Sequence, residues 1–212
     1  MVSAVIFDMD GTLLDTLEDI KESTNFALTS LGFPKRSINE VKSFVGDGVK
    51  LLFERAISEK YDKNSVNKCI KLFKQHYSKN MYNNTKPYPG IIDVLKELKS
   101  SNIKTGIVSN KFDKAVKELS VKYFENLIDV SVGQSDDVPQ KPSPNGVLKA
   151  LKYLNTDNAI YVGDSDIDVK TAKNSKLKCI GVTWGFRDKE FLKDADFIVN
   201  SSEELLKTIR RI

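Results

Sequence analysis

The fold is decided by residues 2–16, which read VSAVIFDMDGTLLDT. The first part, Val2–Phe7, is a short apolar run rich in β-branched residues, and this composition predicts a buried strand. The strand stops at Asp8, and Gly11 then favours a turn. Because side chains two residues apart on an extended chain point to the same side, we expect Asp8 and Asp10 to project together from the carboxyl end of the strand.

This pair of carboxylates predicts half of a metal site. Two adjacent carboxylates repel each other unless a proton or a cation lies between them. A hard divalent cation with oxygen ligands holds both ionised, and Mg²⁺ is the usual one. Asp-Gly is also a common turn dipeptide, so the interpretation depends on whether the remaining parts of a site follow later in the chain.

Composition restricts the class of protein. The 212 residues are 40% hydrophobic and 29% charged, which is ordinary for a folded globular chain. The net charge of +4 is small and the lysines are mixed with acids, so we expect no nucleic-acid partner. Cys69 and Cys179 predict free thiols, buried or partly buried, in a reducing compartment. His76 is the single histidine, which excludes a multi-histidine zinc site, and its place in a helical pattern indicates a surface residue.

The chain shows no membrane or export signal. No apolar run approaches the roughly 20 residues needed to span a bilayer. The apolar opening is interrupted by Asp8 and lacks the basic leader of a signal peptide. We therefore expect a cytoplasmic protein with no membrane partner, present as a monomer or a homodimer.

The spacing of apolar residues divides the chain into two kinds of segment. From Thr16 to about Asn83 the apolar residues recur at intervals of three and four, which predicts helices only. The flanking segments alternate between strands and helices, as is typical of a doubly wound parallel sheet with helices on both faces. The expected fold is α/β, with a Rossmann-like catalytic core from residues 1–15 and 84–212 and an inserted all-helical domain over 16–83.

Polar residues follow several of the predicted strands. Ser109 and Asn110 come after a strand predicted over 104–108, Asp164 follows a second strand, and Lys141 lies on a loop after a third. In sheets of this kind, ligands bind beyond the carboxyl ends of the strands. We therefore expect these residues and the amino-terminal acidic pair to converge on one crevice.

The acidic residues of this crevice suit one magnesium ion. Asp8, Asp10 and Asp164 are the predicted oxygen ligands, Asp10 through its side chain or its backbone carbonyl. Asp168 is expected on the same face of a helix as Asp164, four residues earlier. It either orients metal-bound water or Lys141, or it is a helix-start carboxylate favoured by the helix dipole.

Neutral donors and a positive charge complete the expected site. Ser109, Asn110 and Lys141 form a cradle for a tetrahedral dianion, although Lys141 taken alone reads as an exposed loop lysine. A carboxylate nucleophile, a metal and such a cradle suit phosphoryl transfer through an aspartyl-phosphate. Asp8 is expected to attack phosphorus, while Asp10 gives a proton to the leaving alkoxide and then takes one from water.

These residues resemble the motifs of the haloacid dehalogenase superfamily of phosphatases. Residues 8–12 (DMDGT) look like its first motif, Ser109-Asn110 its second, Lys141 its third and residues 163–168 (GDSDID) its fourth. The motifs occur in order, and the resemblance covers essentially the whole chain. It implies that the helical insertion is a cap domain.

The resemblance also implies residue roles and an activity. Asp8 is implied as the nucleophile, and Asp10 implies a phosphatase rather than a dehalogenase. Within the superfamily, residues 44–52, 109–111, 141–144 and 182–187 are similar to those of phosphoglycolate phosphatases. The implied function is Mg²⁺-dependent hydrolysis of a small phosphorylated metabolite.

The turn Gly46-Asp47-Gly48 precedes a predicted helix. Its backbone amides, together with Lys50, are candidates to bind a substrate carboxylate in the cap. The other interpretation is a glycine-rich helix entry with Asp47 near the cap position.

Other functions stay open at this point. Pyrophosphatases, nucleotidases, sugar-phosphate phosphatases and phosphomutases of the same superfamily share several of these features. A non-enzymatic phospho-receiver domain also clusters acids, Mg²⁺, a hydroxyl and a lysine, but it is much shorter and lacks a helical insertion. A binding protein on a decayed enzyme scaffold is disfavoured because every catalytic position is chemically intact.

Overall fold

The computed structural model describes residues 2–57 and 62–212. The chain forms two compact units, one from Met1–Leu14 with Pro87–Ile212 and one from Asp15–Lys86. Within the described ranges, no helix combines the length and the apolar character that crossing a membrane requires. The assignment of residues 16–83 as a cap concerns the relation between the units and stays a prediction.

The strands define the first unit. In chain order they are β1 (Ala4–Phe7), β2 (Leu14–Asp15), β3 (Lys86–Pro87), β4 (Lys104–Phe112), β5 (Val130–Gln134), β6 (Ala159–Gly163), β7 (Lys178–Val182) and β8 (Phe197–Val199). Six of them form a sheet in the order β5-β4-β1-β6-β7-β8, and all the paired neighbours run parallel. Strands β2 and β3 pair separately, where the chain passes between the units.

The helices alternate with these strands in the first unit and make up the second. They are α1 (Leu17–Ser30), α2 (Ile38–Phe44), α3 (Gly48–Ile57), α4 (Lys63–Asn80), α5 (Ile91–Ser100), α6 (Asp113–Phe124), α7 (Asn145–Leu154), α8 (Asp166–Asn174) and α9 (Ser202–Arg211). Short 3₁₀ turns lie at Glu125–Leu127 and Lys189–Leu192. The predicted α/β class with a parallel sheet is confirmed.

Strand β1 lies at the centre of the sheet, between β4 and β6. Its residues Ala4–Phe7 are completely buried, as the apolar composition of the segment requires. Its place there results from the strand order, since the chain crosses to one side through β4 and β5 and then returns to the other side at β6. This reversal places a crevice at the carboxyl end of β1.

Strand β4 differs from the prediction. It was expected to end at Val108, so that Ser109 and Asn110 would follow it, but it continues to Phe112. The pairing with β5 shifts register between Val108 and Phe112, which marks an irregularity at the strand's carboxyl end. A register shift of this kind changes the direction in which side chains point, while the strand continues. Apolar pattern alone did not reveal the extension because these residues are polar.

The second unit is a helical bundle with an aromatic interior. The Phe73 ring packs edge-on against Phe53 with centroids 5.7 Å apart and stacks on Tyr77 at 5.2 Å. His76 is half-buried in the same unit: its Nδ1 lies 3.0 Å from the hydroxyl oxygen of Ser23. His76 thus packs and forms a hydrogen bond at the edge of the bundle.

A buried carboxylate ties the start of the helical unit to its end. Asp19, on the first turns of α1, accepts hydrogen bonds from the backbone N–H groups of Asn84 at 2.9 Å and Thr85 at 2.9 Å. It also accepts from the Asn84 side-chain amide and the Thr85 hydroxyl. Because Asp19 is only 1% exposed, these donors satisfy a charge that would otherwise be costly to bury.

Candidate active site

A tight loop follows β1 and carries the first two acidic residues. The Met9 carbonyl accepts hydrogen bonds from the backbone N–H groups of Leu13 and Leu14, both at 3.0 Å. Gly11 turns the chain with a φ of +86°, a conformation that residues with a Cβ rarely adopt. The loop therefore holds Asp8 at the end of the strand in a fixed orientation.

Asp8 is buried at the carboxyl end of β1. Its Oδ1 accepts from the Met9 backbone N–H at 2.7 Å and lies 2.9 Å from the Lys141 ammonium. Burial raises the pKa of Asp8 to about 7 although Lys141 opposes the shift, and the nearby Asp168 and Asp10 raise it further. The charge of Lys141 is therefore not enough to keep the pKa of Asp8 at its ordinary value.

Asp164 follows β6 and is enclosed by backbone. Its Oδ2 accepts from the Phe186 N–H at 2.6 Å, and its Oδ1 lies 3.3 Å from the Thr12 hydroxyl. A Cβ added at Gly11 would lie 2.4 Å from Oδ2, and one at Gly185 would lie 2.3 Å from the Asp164 Cβ. Only glycine fits at both positions, so the two glycines make the space for this carboxylate. Burial, followed by the charges of Asp168 and Asp8, raises the Asp164 pKa to about 8.

Asp168 lies on the first turn of α8 and is completely buried. Its Oδ2 accepts from the N–H and the hydroxyl of Ser165, while the Asp168 N–H donates to the Ser165 hydroxyl, which makes a capping box. Its Oδ1 lies 2.7 Å from the Lys141 ammonium and 3.2 Å from the Tyr161 hydroxyl oxygen. The residue therefore makes both contacts that the sequence left as alternatives: it caps the helix, and it contacts the lysine.

Lys141 reaches the centre of the site from the loop after β5. The Asn110 side chain clamps it: the amide oxygen accepts from the Lys141 N–H at 2.7 Å, and the amide nitrogen donates to the Lys141 carbonyl at 3.2 Å. Burial alone would lower the pKa of Lys141, but the charges of Asp168 and Asp8 outweigh it and raise this pKa well above its usual value. The ammonium is therefore permanently charged. The structure gives the Asn110 side chain an anchoring contact that the sequence did not predict.

The charges around Lys141 are unbalanced. Carboxylate oxygens of Asp8, Asp164 and Asp168 lie within 4.8 Å of one another. When all three carboxylates are ionised, they carry an excess of two negative charges over the one ammonium, and this excess accompanies the raised pKa values of Asp8 and Asp164. A divalent cation has the charge that offsets it, and an all-carboxylate donor set selects a hard ion such as Mg²⁺. Each oxygen of Asp168 makes two hydrogen-bonding contacts among the described residues, whereas each oxygen of Asp164 makes one, so Asp8 and Asp164 are the members that fit as ligands.

Asp10 lies outside this cluster. Both of its carboxylate oxygens contact the ammonium of Lys111, at 2.9 and 2.8 Å. The sequence predicted a metal-site role for Asp10, through its side chain or its carbonyl; the structure brings its side chain to Lys111. Lys111 belongs to the 109–111 segment that resembles phosphoglycolate phosphatases, but it was not predicted as a site residue.

Ser109 is buried near the irregular end of β4. Its hydroxyl oxygen accepts from the Lys111 backbone N–H at 3.3 Å. Tyr161 was also missed, since it lies inside β6 and reads as core. Its hydroxyl accepts from the Lys141 ammonium at 3.1 Å, and its single proton points to either the Asp168 carboxylate or the Val108 carbonyl, 3.2 and 3.3 Å away.

The glycine turn of the helical unit shows the helix-entry geometry. Gly46 and Gly48 have φ of +117° and +82°, and the Asp47 carboxylate pairs with Arg55 at 2.7 Å. The Lys50 side chain is 65% exposed and lies 3.8 Å from the Glu54 carboxylate. A substrate role for Gly46 and Lys50 stays a prediction.

A parallel sheet with a buried acid cluster and a lysine at the carboxyl ends of its strands defines an α/β protein with a polar ligand site at that edge. Residues 5–182 match the family model described as haloacid dehalogenase-like hydrolase. The chain belongs to this family and is a phosphatase of it, a phosphoric monoester hydrolase.

Individual relatives agree with this assignment. The chain is 33% identical to a phosphoglycolate phosphatase from Aquifex aeolicus, over 96% of this chain and 94% of the relative. It is 32% identical to a protein from Caldanaerobacter subterraneus provisionally assigned as a pyrophosphatase, over 99% and 95% of the two chains. A crystal structure from Lactobacillus delbrueckii, provisionally assigned as a phosphoglycolate phosphatase, superposes with a TM-score of 0.94 at 33% identity and covers 99% of both chains.

Proposed function

We propose that this protein is a Mg²⁺-dependent phosphatase that hydrolyses small phosphate monoesters of the phosphoglycolate type through a phosphorylated Asp8. The observation that carries the proposal is the buried cluster of Asp8, Asp164 and Asp168 around Lys141, with its excess negative charge. A site that binds a cation and a phosphate dianion together needs this arrangement of charges.

The residues that would hold the ion are Asp8 and Asp164, with the Asp10 backbone carbonyl as a third oxygen. When bound, Mg²⁺ supplies positive charge that stabilises the equatorial oxygens of the transferring phosphoryl group. The Phe186 N–H fixes the Asp164 carboxylate in place, and the Met9 N–H fixes that of Asp8. Both ligands are thus oriented by backbone groups before any ion binds.

The covalent steps use two carboxylates. Asp8 Oδ1 is engaged by Lys141 and Met9, so Oδ2 is the proposed nucleophile. It forms a bond to phosphorus while the bond from phosphorus to the leaving oxygen breaks, and Asp10 donates a proton to that oxygen. Asp10 then takes a proton from a water molecule that attacks phosphorus, which releases orthophosphate and restores the Asp8 carboxylate.

The phosphoryl group would be held by neutral and positive groups on two loops. Ser109 and Asn110 supply donors from the end of β4, and Lys141 supplies a charge next to Asp8. Asn110 contributes in a second way, because its amide holds the Lys141 backbone. Asp168 and Tyr161 hold the Lys141 ammonium from the other side.

The substrate class follows from the relatives. Phosphoglycolate phosphatases and a provisionally assigned pyrophosphatase are about equally similar in sequence to this chain, at 33% and 32% identity. Nucleotidase, sugar-phosphate phosphatase and phosphomutase activities are the alternatives. The proposal includes residues 16–83 as a cap, with Gly46 and Lys50 as candidate contacts to the leaving group.

The test is a panel of phosphate esters with the wild-type protein and the Asp8→Asn variant. We expect phosphate release with Mg²⁺ and a loss of kcat of about 10³-fold or more in Asp8→Asn, because removing a nucleophile removes the covalent route. Labelled phosphate from the substrate should stay on the wild-type protein after a rapid acid quench and be released by hydroxylamine. Asp166→Asn is the matched control, because Asp166 pairs with Lys170 on the outer side of α8.

Three results would contradict the proposal. They are turnover that is unaffected by chelation of divalent ions, an active Asp8→Asn variant, and trapped phosphate that maps to a residue other than Asp8. Glucose phosphate isomers as substrates, with analysis of the products, separate hydrolysis from phosphomutase activity.

A further inference from the structure

Lys111 has a buried side chain at the edge of the candidate site. Its side chain is 6% exposed and its ammonium contacts both oxygens of Asp10, whose side chain is 13% exposed. Lysines in the i,i+4 surface pairs of this protein keep 61 to 77% of their side-chain surface exposed: Lys50, Lys114, Lys117 and Lys170. Among the ion-paired lysines that the structure describes, Lys141 is similarly buried, at 4%.

Lys141 and Lys111 contact carboxylates that have different proposed roles in the reaction. Lys141 contacts Asp8, the proposed nucleophile, and therefore lies on the phosphoryl side. Lys111 contacts Asp10, which on the proposed function transfers a proton to the leaving oxygen, and therefore lies on the leaving-group side. On that function, the group attached to the scissile oxygen would lie next to this ammonium.

The chemistry of Lys111 suits a shared contact. An ammonium has three N–H donors, so it can keep a hydrogen bond to Asp10 and accept a second anion as a partner. In a site that excludes water, such a charge-assisted hydrogen bond is strong and selective. The Ser109 hydroxyl accepts from the Lys111 backbone N–H at 3.3 Å, which links this residue to the phosphate-binding segment.

We propose that Lys111 is a specificity-determining residue that binds an anionic group on the leaving-group side of the scissile oxygen. The inference rests on the proposed function and narrows its substrate class to small phosphoryl compounds whose leaving group carries a carboxylate or a second phosphate next to that oxygen. Phosphoglycolate and pyrophosphate both have this feature. Esters of neutral alcohols have no such anionic group.

The test compares two substrates that differ in this one group. 2-Phosphoglycolate carries a carboxylate where 2-hydroxyethyl phosphate carries a hydroxymethyl group. We expect the wild-type kcat/KM to favour 2-phosphoglycolate by about 10- to 100-fold, as expected when one charge-assisted contact is made or lost. Pyrophosphate, as a third substrate, shows whether a phosphate can replace the carboxylate.

Two variants assign the preference to Lys111. In Lys111→Met we expect both activities to fall, because Asp10 loses its contact with the ammonium. We also expect the kcat/KM for 2-phosphoglycolate, divided by that for 2-hydroxyethyl phosphate, to fall by about 10-fold or more. This loss of preference should come from a higher KM for 2-phosphoglycolate. Lys111→Arg keeps the charge and should retain most of the ratio. Lys114→Met is the matched control, because Lys114 is 77% exposed on α6 and should keep the wild-type ratio.

The outcomes separate the inference from the proposed function. Equal wild-type kcat/KM values for the two esters overturn the inference without any variant, as does an unchanged ratio in Lys111→Met, which would show that the lysine serves Asp10 alone. If the wild-type protein hydrolyses neither ester nor a generic aryl phosphate in the presence of Mg²⁺, the proposed function itself is wrong.

Discussion

Within the acid cluster, the charge of Asp164 is unfavourable in the folded protein. Asp164 places a carboxyl group in a space bounded by Gly11 and Gly185, with Asp8 and Asp168 nearby, where its ionised form is repelled. Such a group is unfavourable in the folded state unless positive charge offsets it, which explains why its pKa is raised to about 8. The residue is therefore placed for ion binding at the expense of stability.

A substitution of Asp164 tests this without measuring activity. In Asp164→Asn, one of the repelling charges is removed while an oxygen stays available to the Phe186 N–H. We expect Mg²⁺ to raise the melting temperature of the wild-type protein by several degrees, because a ligand that binds only the folded state stabilises it. The same ion should shift the variant by about 1 °C or less, and without metal the variant should be at least as stable as wild type.

The measurement is thermal unfolding followed by circular dichroism, with and without Mg²⁺ after treatment with a chelator. Asp166→Asn makes the same chemical change two residues away at a partly exposed pair and should keep the wild-type shift. Equal shifts in wild type and Asp164→Asn would place the ion elsewhere.

Among the elements, α1 depends on a contact with the far end of its own unit. Asp19 on this helix accepts hydrogen bonds from the backbone and side chains of Asn84 and Thr85, more than sixty residues away in sequence. Thr85 is buried, so its backbone N–H and hydroxyl need a partner within the protein. The helical unit therefore has its two ends joined by one carboxylate.

Replacement of Asp19 should destabilise this unit. Asp19→Ala leaves several donors without their acceptor, and we expect a loss of about 2 to 4 kcal/mol in the free energy of unfolding. Urea unfolding monitored by circular dichroism gives this quantity. Glu22→Ala is the control on the exposed side of α1 and should lie within about 0.5 kcal/mol of wild type. A loss of stability in Asp19→Ala no greater than that of the control would show that the contact contributes little.

At the scale of the whole molecule, the two compact units carry one buried thiol each. Cys69 lies in Asp15–Lys86 and Cys179 in the sheet unit, and both are free, as the sequence predicted. Burial raises the pKa of Cys69 to about 11, and burial together with the nearby Asp168 and Asp196 raises that of Cys179 further. Both thiols are therefore protonated and unreactive at pH 8 in the folded protein.

Thiol labelling should report on the two units separately. At pH 8 we expect neither cysteine to react with an aromatic disulfide reagent in the native protein and both to react in denaturant. Near the unfolding midpoint, Mg²⁺ should slow the labelling of Cys179 several-fold and leave that of Cys69 almost unchanged, because the proposed ion ligands all lie in the sheet unit. Mass spectrometry of the labelled peptides distinguishes the sites. Equal protection of both cysteines would show that the chain opens as one unit.

The sequence by itself determined the class of fold and the order of the site residues. Buried strands are marked by apolar runs, and parallel strands present their carboxyl ends on one edge, so Asp8, Asp164 and Lys141 could be assigned to one crevice from their positions alone. The continuation of β4 past Val108 was missed, because a polar segment at a register shift carries no apolar signal.

Only the tertiary structure decided which side chains pair. Lys111 meets Asp10 across 101 residues, and the Asn110 amide holds Lys141 across 31. The first contact follows from the pairing of β1 with β4 and the second from the pairing of β4 with β5, and a periodic pattern of apolar residues contains no information about strand order. Local chemistry thus predicts which groups reach the edge of the sheet, while the packing of distant segments determines their charges and partners.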